Sequence, residues 1–205
     1  MDNVTKEVII ANFRQRNISA EFYNNVEDVN NRILELIPQD CSIGVGHSTT
    51  LEQMEIMKKL SDRGNIMIDK SSATNHEQMK VLKKKALTAD WYISSSNAVS
   101  MDGQIVNIDH SGNRVASLMY GPDKVIIVVG VNKIADNLDK AIDRAKNIAA
   151  VKNAKRAGYK PPCVYLNKCV DCTSSERICN YLTVIQGQHD KDRLRVLIID
   201  KELGF

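Results

Sequence analysis

Residues 41–51 read CSIGVGHSTTL, an apolar run that passes into two closely spaced glycines and then three hydroxyl side chains. The apolar part predicts a strand, and the hydroxyls of Ser48, Thr49 and Thr50 can cap a helix that begins near Leu51. A strand that leads through a short turn into a helix is the unit from which α/β folds are built. This stretch therefore predicts an α/β protein.

The remainder of the chain continues the same alternation of strands and helices. Residues 125–129 are five apolar residues in a row, which predicts a strand in the centre of the sheet. Asp102-Gly103 predicts a hairpin turn between residues 98–99 and 105–108. Helices are predicted over 4–16, 26–37, 51–60, 75–87 and 138–151, and further strands over 20–23, 41–45, 66–68, 91–93, 181–185 and 194–199. We expect one domain over 1–205, with a mostly parallel central sheet flanked by helices.

Composition narrows the class of function. The 205 residues carry a formal net charge of +3, without the clustered basic face that nucleic-acid binding needs. No apolar run reaches the roughly 18 residues of a membrane span, and the N-terminus lacks the order of a signal peptide. We therefore expect a cytoplasmic protein, in which the five cysteines are not a disulfide framework.

The glycine loop is a candidate anion site. Gly44 and Gly46 can adopt backbone angles closed to other residues and allow a ligand to approach closely. Ser48, Thr49 and Thr50 add hydroxyls at a predicted helix N-terminus, which favours a phosphate or carboxylate. The loop matches neither the Walker sequence nor the dinucleotide fingerprint. An ordinary strand-to-helix turn with a hydroxyl cap is the alternative interpretation.

Polar side chains recur at the ends of the later predicted strands, where ligands bind in open α/β sheets. Arg114 suits bidentate contact with a carboxylate or phosphate, and Lys133 supplies a point charge. Asn97 and Asn113 lie in the same polar clusters, and we expect these residues to meet the glycine loop.

Three residues are candidates for proton transfer at this site. Asp102, Asp109 and His47 carry groups that act as general acids or bases. Because Asp-Gly is a common turn, a structural role is the alternative for Asp102. His47 can equally be a turn residue.

Four cysteines fall within residues 161–180, after Pro161-Pro162. Cys163, Cys169, Cys172 and Cys179 have the spacing C-x5-C-x2-C-x6-C, which is neither the ferredoxin run nor a standard zinc ribbon. Four thiolates can hold zinc or a [4Fe–4S] cluster. The alternatives are free buried thiols, or a redox pair formed by Cys169 and Cys172.

Five separated motifs resemble, in order and spacing, the LUD-domain family of lactate-utilisation proteins of the LutC/YkgG type. They are residues 44–51, 96–103, 112–115, 121–126 and 128–134. The resemblance implies a NagB/RpiA/CoA-transferase-like fold, some of whose members hold a substrate phosphate at a similar glycine loop. It also implies an association with the oxidation of lactate to pyruvate, alongside iron–sulfur partner proteins. A non-catalytic subunit would dock on iron–sulfur or flavin partner subunits.

The sequence thus predicts a protein that binds a small anionic metabolite, an organic acid or a phosphorylated compound, at the glycine loop. It would act within an organic-acid oxidation system. The alternatives are a non-catalytic iron–sulfur or zinc-binding partner subunit, or a ligand-sensing module.

Overall fold

Six parallel strands form the larger of two sheets in the computed structural model, which describes residues 1–205. The strands are β1 Ser19–Tyr23, β2 Ser42–Val45, β3 Ile66–Ile68, β4 Trp91–Ser95, β5 Ala98–Ser100, β6 Ile105–Asp109, β7 Lys124–Gly130, β8 Ile134–Ala135, β9 Tyr181–Ile185 and β10 Leu194–Ile199. The large sheet has the order β1-β10-β7-β4-β2-β3, and the small sheet has the order β8-β5-β6-β9. The predicted α/β class with a mostly parallel sheet is confirmed.

Nine α-helices surround the sheets. They are α1 Asn3–Gln15, α2 Val26–Leu36, α3 Thr49–Met54, α4 Ile56–Asp62, α5 His76–Lys85, α6 Asn113–Met119, α7 Leu138–Arg144, α8 Val151–Arg156 and α9 Pro162–Leu166. Side-chain caps begin several of them, because an Asp, Asn or Ser oxygen accepts a backbone N–H that has no partner within the helix. Asp2, Asn25 and Asn137 cap α1, α2 and α7 in this way.

The large sheet separates two apolar cores, as the alternation of side chains along a strand requires. In β7, Val125, Ile127 and Val129 face one core, whereas Ile126 and Val128 face the other. Every residue of β7 after Lys124 is buried, and the strand lies between β10 and β4. The predicted central position of this strand is confirmed.

The small sheet contains the predicted hairpin. β5 and β6 are antiparallel, with Ala98 opposite Val106, and β9 extends the sheet beside β6. A third apolar cluster, which includes Ala98, Val106, Ala141 and Ala145, joins this sheet to the helix that begins with α7. The small sheet thereby lies beside the carboxyl end of β4, from which β5 continues.

Two predicted helices differ from the observed ones. The helix predicted over 51–60 is broken at Glu55, whose φ of 55° is left-handed, so α3 has only six residues. Conversely, the helix predicted to end at Val151 continues through a π-helical segment, Ala145–Ala150, to Arg156. The first difference weakens the helix-dipole argument for an anion site, since a helix of six residues aligns few peptide dipoles. The second brings Arg156 within reach of the glycine loop.

The direction of the connections identifies where a ligand would bind. β2 and β4 are neighbours in the large sheet, and the chain leaves them in opposite directions. From β2 it continues to β3 at one edge, and from β4 it continues towards β7 on the other side. The crevice beyond the carboxyl ends of β2 and β4 is therefore a topological switch point, where open α/β sheets bind ligands. No helix is both long enough and apolar enough to cross a membrane.

Candidate functional site

A small polar cleft opens at this switch point, with a volume of about 70 Å³. We call it the inner compartment. Its walls come from the loop after β2 and the start of α3, the end of β4 and the segment after it, the segment after β7, and side chains of β6, α6, α8 and the chain end. They are His47, Ser48, Thr49, Thr50, Ser95, Ser96, Asn97, Ile108, Arg114, Lys133, Asn153, Arg156, Gly204 and Phe205. The set contains three side-chain cations and no Asp or Glu, so the compartment is electrostatically suited to an anion.

The two glycines of the loop serve packing rather than an unusual backbone. Neither Gly44 nor Gly46 has a positive φ, so that part of the sequence argument is wrong. A Cβ on Gly46 would lie 2.3 Å from Ser94 Oγ, and one on Gly44 would lie 2.8 Å from Tyr92 Cδ2. β4 therefore requires both glycines as close neighbours, and neither glycine lines the inner compartment.

Several polar groups that follow Gly46 have no hydrogen-bond partner within the protein. The backbone N–H groups of His47 and Ser48 donate to no group of the protein. Thr49 Oγ1 is buried without a hydrogen-bond partner. Ser48 Oγ accepts the N–H of Leu51 at 3.4 Å and so caps α3, as predicted. Because buried polar groups are normally paired, the hydroxyl of Thr49 is available to a water molecule or a ligand.

Lys133 lies at the base of the inner compartment and is 3% exposed. Its Nζ donates to Thr50 Oγ1 at 2.8 Å and to Ser95 Oγ at 2.9 Å, with no carboxylate among its partners. Burial, reinforced by the charges of Arg144 and Arg114, lowers the pKa of Lys133 to about 7. Since a buried unpaired cation is costly, its position beside an open cleft is characteristic of a functional lysine.

Gly204 allows the end of the chain to cover this lysine. Its φ is 62°, and a Cβ there would lie 3.1 Å from Lys133 Nζ and 2.5 Å from Thr50 Oγ1. Its N–H donates to Gln53 Oε1 at 2.7 Å. Residues 203–205 thus close one side of the compartment, which sequence reasoning missed.

Arg114 lies in the inner compartment, but its donors are already engaged. Nη1 donates to Ser95 O and Asn107 Oδ1, and Nη2 donates to Asn97 Oδ1 and Ile108 O, at 2.6 to 3.1 Å. Nε lies 3.3 Å from the Asp109 carboxylate. Arg114 therefore contributes positive charge and holds the strand ends together, and it offers no free fork of the kind predicted for bidentate binding.

Asn97 is oriented by the same network. Its Oδ1 accepts the N–H of Ile108 at 2.8 Å and the Arg114 guanidinium at 3.1 Å. Its Nδ2 donates to no other side chain or backbone group and remains available to a ligand. The buried Arg144 donates to the Asn97 carbonyl and so fixes the backbone of this segment.

His47 and Arg156 form the mouth of the compartment. Burial, followed by the Arg156 charge, lowers the pKa of His47. His47 Nε2 contacts Arg156 Nη1 and lies 3.3 Å from Glu52 Oε1. One nitrogen cannot accept from Arg156 and donate to Glu52 at once, and the lowered pKa favours a neutral ring that accepts from Arg156.

A wider cleft of about 330 Å³ continues outward from this mouth. We call it the outer compartment. It shares His47, Arg114 and Arg156 with the inner one and adds further polar residues. These include Lys70, Lys83, Asp109, His110 and Asn113. Burial, followed by repulsion from Lys83, lowers the pKa of Lys70. The outer compartment is lined by four cationic side chains and one acid, so it also favours an anion; they are Lys70, Lys83, Arg114, Arg156 and Asp109.

The two predicted acidic residues differ in position. Asp109 lies in the outer compartment, where its Oδ1 accepts the N–H groups of Ser111 and Gly112 and its Oδ2 faces Arg114. These contacts shape the loop before α6. Asp102 is exposed at the hairpin turn and lies outside both compartments, and its carbonyl accepts from Arg16 at 2.6 Å. The turn interpretation fits Asp102, and its catalytic role stays a prediction that the geometry does not favour.

The four cysteines of the 161–180 segment all line one further cavity, of about 210 Å³. All five cysteines of the chain are free thiols. Burial raises the pKa of the Cys163 thiol, with smaller contributions from the other three cysteines of the segment. No three His, Cys, Asp or Glu side chains converge closely enough to hold a single metal ion. Cys41 lies apart and packs against the core formed with α2 to α4.

Sequence reasoning missed Arg156, Asn153, Ser95 and Ser96 in the inner compartment, and Lys70 in the outer one. Ser95 and Ser96 belong to the polar segment after β4, so strand-end position could have selected them. Arg156 ends a helix in which basic residues are common, and its sequence carries no signal of a site.

The sequence profile of the LUD domain family matches residues 6–199. The chain belongs to the LUD domain family. Among solved structures, this LUD domain is similar to a DUF162 family protein from Deinococcus radiodurans, with a TM-score of 0.55 and 15% identity over 96% of each chain. That similarity supports the fold alone. Ribose 5 phosphate isomerase A from Neisseria gonorrhoeae aligns over 55% of this chain and 54% of its own, with 13% identity and a TM-score of 0.35. No curated protein matches the sequence significantly.

Proposed function

We propose that this LUD domain binds a small anionic metabolite, an organic acid or a phosphorylated compound, with its anionic group in the inner compartment. The observation that carries the proposal is the buried Nζ of Lys133, which has two hydroxyl partners and no carboxylate. A carboxylate or phosphate oxygen would supply the missing counter-charge. Charge-assisted hydrogen bonds of this kind are about twice as strong as neutral ones.

The size of the two compartments restricts the ligand. The inner compartment, at about 70 Å³, has room for one carboxylate- or phosphate-sized group, since a water molecule in the liquid occupies about 30 Å³. The rest of the molecule would extend past His47 into the outer compartment, where Lys70 and Lys83 favour further negative charge. The family's association with lactate utilisation makes lactate and pyruvate the first compounds to test, as ligands of an organic-acid oxidation system.

Two groups in the inner compartment are suited to exchange a proton with such a ligand. The pKa of Lys133 lies near 7, and that of His47 is lowered by burial and by Arg156. Lys133 therefore titrates near neutral pH, where general acids and bases are most effective, and the neutral ring of His47 is suited to act as a base. Asp109, by contrast, has both carboxylate oxygens engaged by the protein.

Isothermal calorimetry with L-lactate, pyruvate, inorganic phosphate and propane-1,2-diol tests the proposal. Propane-1,2-diol matches the carbon chain of lactate and lacks its carboxylate. We expect at least one of the anions to bind while the diol does not, and Lys133→Met to weaken that binding about tenfold to a hundredfold. Lys58→Met is the matched control, because Lys58 is an exposed lysine paired with Asp62 on α4. Binding of the diol as tight as that of lactate, or equal anion affinity in the two variants, would overturn the proposal.

A further inference from the structure

The cavity of the 161–180 segment has the composition of a metal-cluster site. Cys163 lies on α9, and Cys169, Cys172 and Cys179 follow on irregular backbone, yet all four line the same space. The remaining wall is largely apolar and includes Pro161 and other aliphatic side chains. These are Ile108, Ala150, Val170, Ile178 and Leu182. Four thiols around one apolar space provide the complete ligand set of a tetrathiolate site.

Two residues between the cysteines have left-handed backbone conformations. Asn167 and Asp171 both have positive φ, 54° and 45°, although neither is glycine. One lies between Cys163 and Cys169, and the other between Cys169 and Cys172. Left-handed residues other than glycine are uncommon, and they are retained where the surrounding structure requires a particular geometry.

The arrangement of the thiols around a shared cavity fits a cluster better than a single ion. Tetrahedral zinc with Zn–S bonds of about 2.3 Å would need its four sulfurs roughly 3.8 Å from one another. No three potential ligands converge in that way, and the thiols instead surround about 210 Å³ of space. A cubane of iron and sulfide places a bulky body between its thiolate ligands, so it fits this arrangement better than one ion does.

The charges around the cavity are also appropriate for a cluster. Four thiolates carry more negative charge than an iron–sulfur core neutralises. Two cations, Arg177 and Lys146, line the cavity together with one acid, Asp171. Arg177 donates to Cys179 Sγ at 3.5 Å and to the carbonyls of Cys172 and Cys179. Its Nε is buried without a partner. Hydrogen bonds to ligand sulfurs are a main means by which proteins stabilise such clusters.

From these observations we propose that Cys163, Cys169, Cys172 and Cys179 hold a [4Fe–4S] cluster. Ile108 lines this cavity and both compartments of the anion cleft, so one side-chain layer separates the cluster from the bound anion. The proposal does not depend on the identity of the anion, and the two can fail separately.

Anaerobic reconstitution of the full chain with ferrous iron and sulfide tests the proposal. We expect about four iron atoms and four sulfides per chain, a visible charge-transfer absorption, and an electron paramagnetic resonance signal after reduction. Cys172→Ala should lose the iron and the absorption, whereas Cys41→Ala, which removes the cysteine outside the segment, should retain both. Circular dichroism would establish that both variants are folded.

A second measurement uses the wild type alone and so does not depend on the folding of a variant. Alkylation followed by peptide mapping should find the four cysteines of the segment protected after reconstitution and reactive before it, with Cys41 unchanged. One tightly held zinc per chain, a two-iron cluster, or no iron uptake by the folded protein would each overturn the proposal. So would equal iron content in the Cys172→Ala and Cys41→Ala variants.

Discussion

Replacement of Lys133 by Met should stabilise the LUD domain while it weakens anion binding. The side chain is 3% exposed, and burial lowers its pKa from an ordinary value of 10.5 to about 7. The unfolded chain therefore holds the proton more tightly than the folded one. At pH 6 this difference costs the folded state about 5 kcal/mol, and at pH 9 it costs about 2 kcal/mol.

The sign follows from proton counts. Between pH 7 and pH 10.5 the unfolded chain keeps the Lys133 proton and the folded chain has released it, so the free energy of unfolding rises with pH. Methionine has no proton to release. Its loss of the hydrogen bonds to Thr50 and Ser95 offsets part of the gain by about 1 kcal/mol each, at every pH.

Urea denaturation at pH 6 and pH 9 measures the effect. The advantage of Lys133→Met over the wild type should shrink by about 3 kcal/mol between these two pH values. Lys58→Met, an exposed position, should differ from the wild type by less than about 0.5 kcal/mol at both. A stability difference between Lys133→Met and the wild type that does not change with pH would refute the assignment of a buried lysine with a lowered pKa.

Three further predictions follow from the geometry of the cleft. The affinity for sulfate should fall by up to about tenfold per pH unit above pH 7, because the neutral Lys133 cannot pair with an anion and the charge of sulfate itself is constant across this range. Calorimetry at pH 6, 7, 8 and 9 measures this affinity. An affinity that does not change with pH contradicts the prediction. Gly46→Ala should lower the free energy of unfolding by about 1–3 kcal/mol, since its Cβ would meet Ser94. In urea denaturation, the double variant Gly46→Ala, Ser94→Gly should recover part of that loss. An unchanged denaturation midpoint in the single variant would contradict the contact. Arg114→Lys should lower the free energy of unfolding by about 2–4 kcal/mol, because lysine cannot satisfy the five acceptors around the guanidinium. Arg156→Lys, at the exposed mouth, should change that free energy by less than about 0.5 kcal/mol and weaken anion binding. Equal effects of the two changes on stability would show that the Arg114 network is not structural.

Local signals in the sequence determined much of the fold. The apolar run at 125–129 predicted a strand in the centre of the sheet, and it is the strand between β4 and β10. Asp102-Gly103 determined the hairpin, and Ser48 determined the cap of α3. These features depend on residues close together in the chain, so they can be predicted without the tertiary structure.

The irregularities within two helices could not be predicted from the sequence. Nothing in the apolar pattern of 51–60 marks the left-handed Glu55, and nothing in 138–151 marks the π-helical segment that leads to Arg156. Neither segment contains a glycine or a proline, the residues whose low helix propensity would have predicted a break.

For the site, the sequence determined which polar side chains follow the strands, and tertiary structure decided what each of them can do. Arg114 and Lys133 look alike in sequence as cations at strand ends. In the folded chain Arg114 has acceptors for all its donors, whereas Lys133 is buried against two hydroxyls with no acid. The partners of Lys133 lie 83 and 38 residues away, on other elements. Burial and pairing set its charge, and both arise only from contacts between segments that the fold brings together.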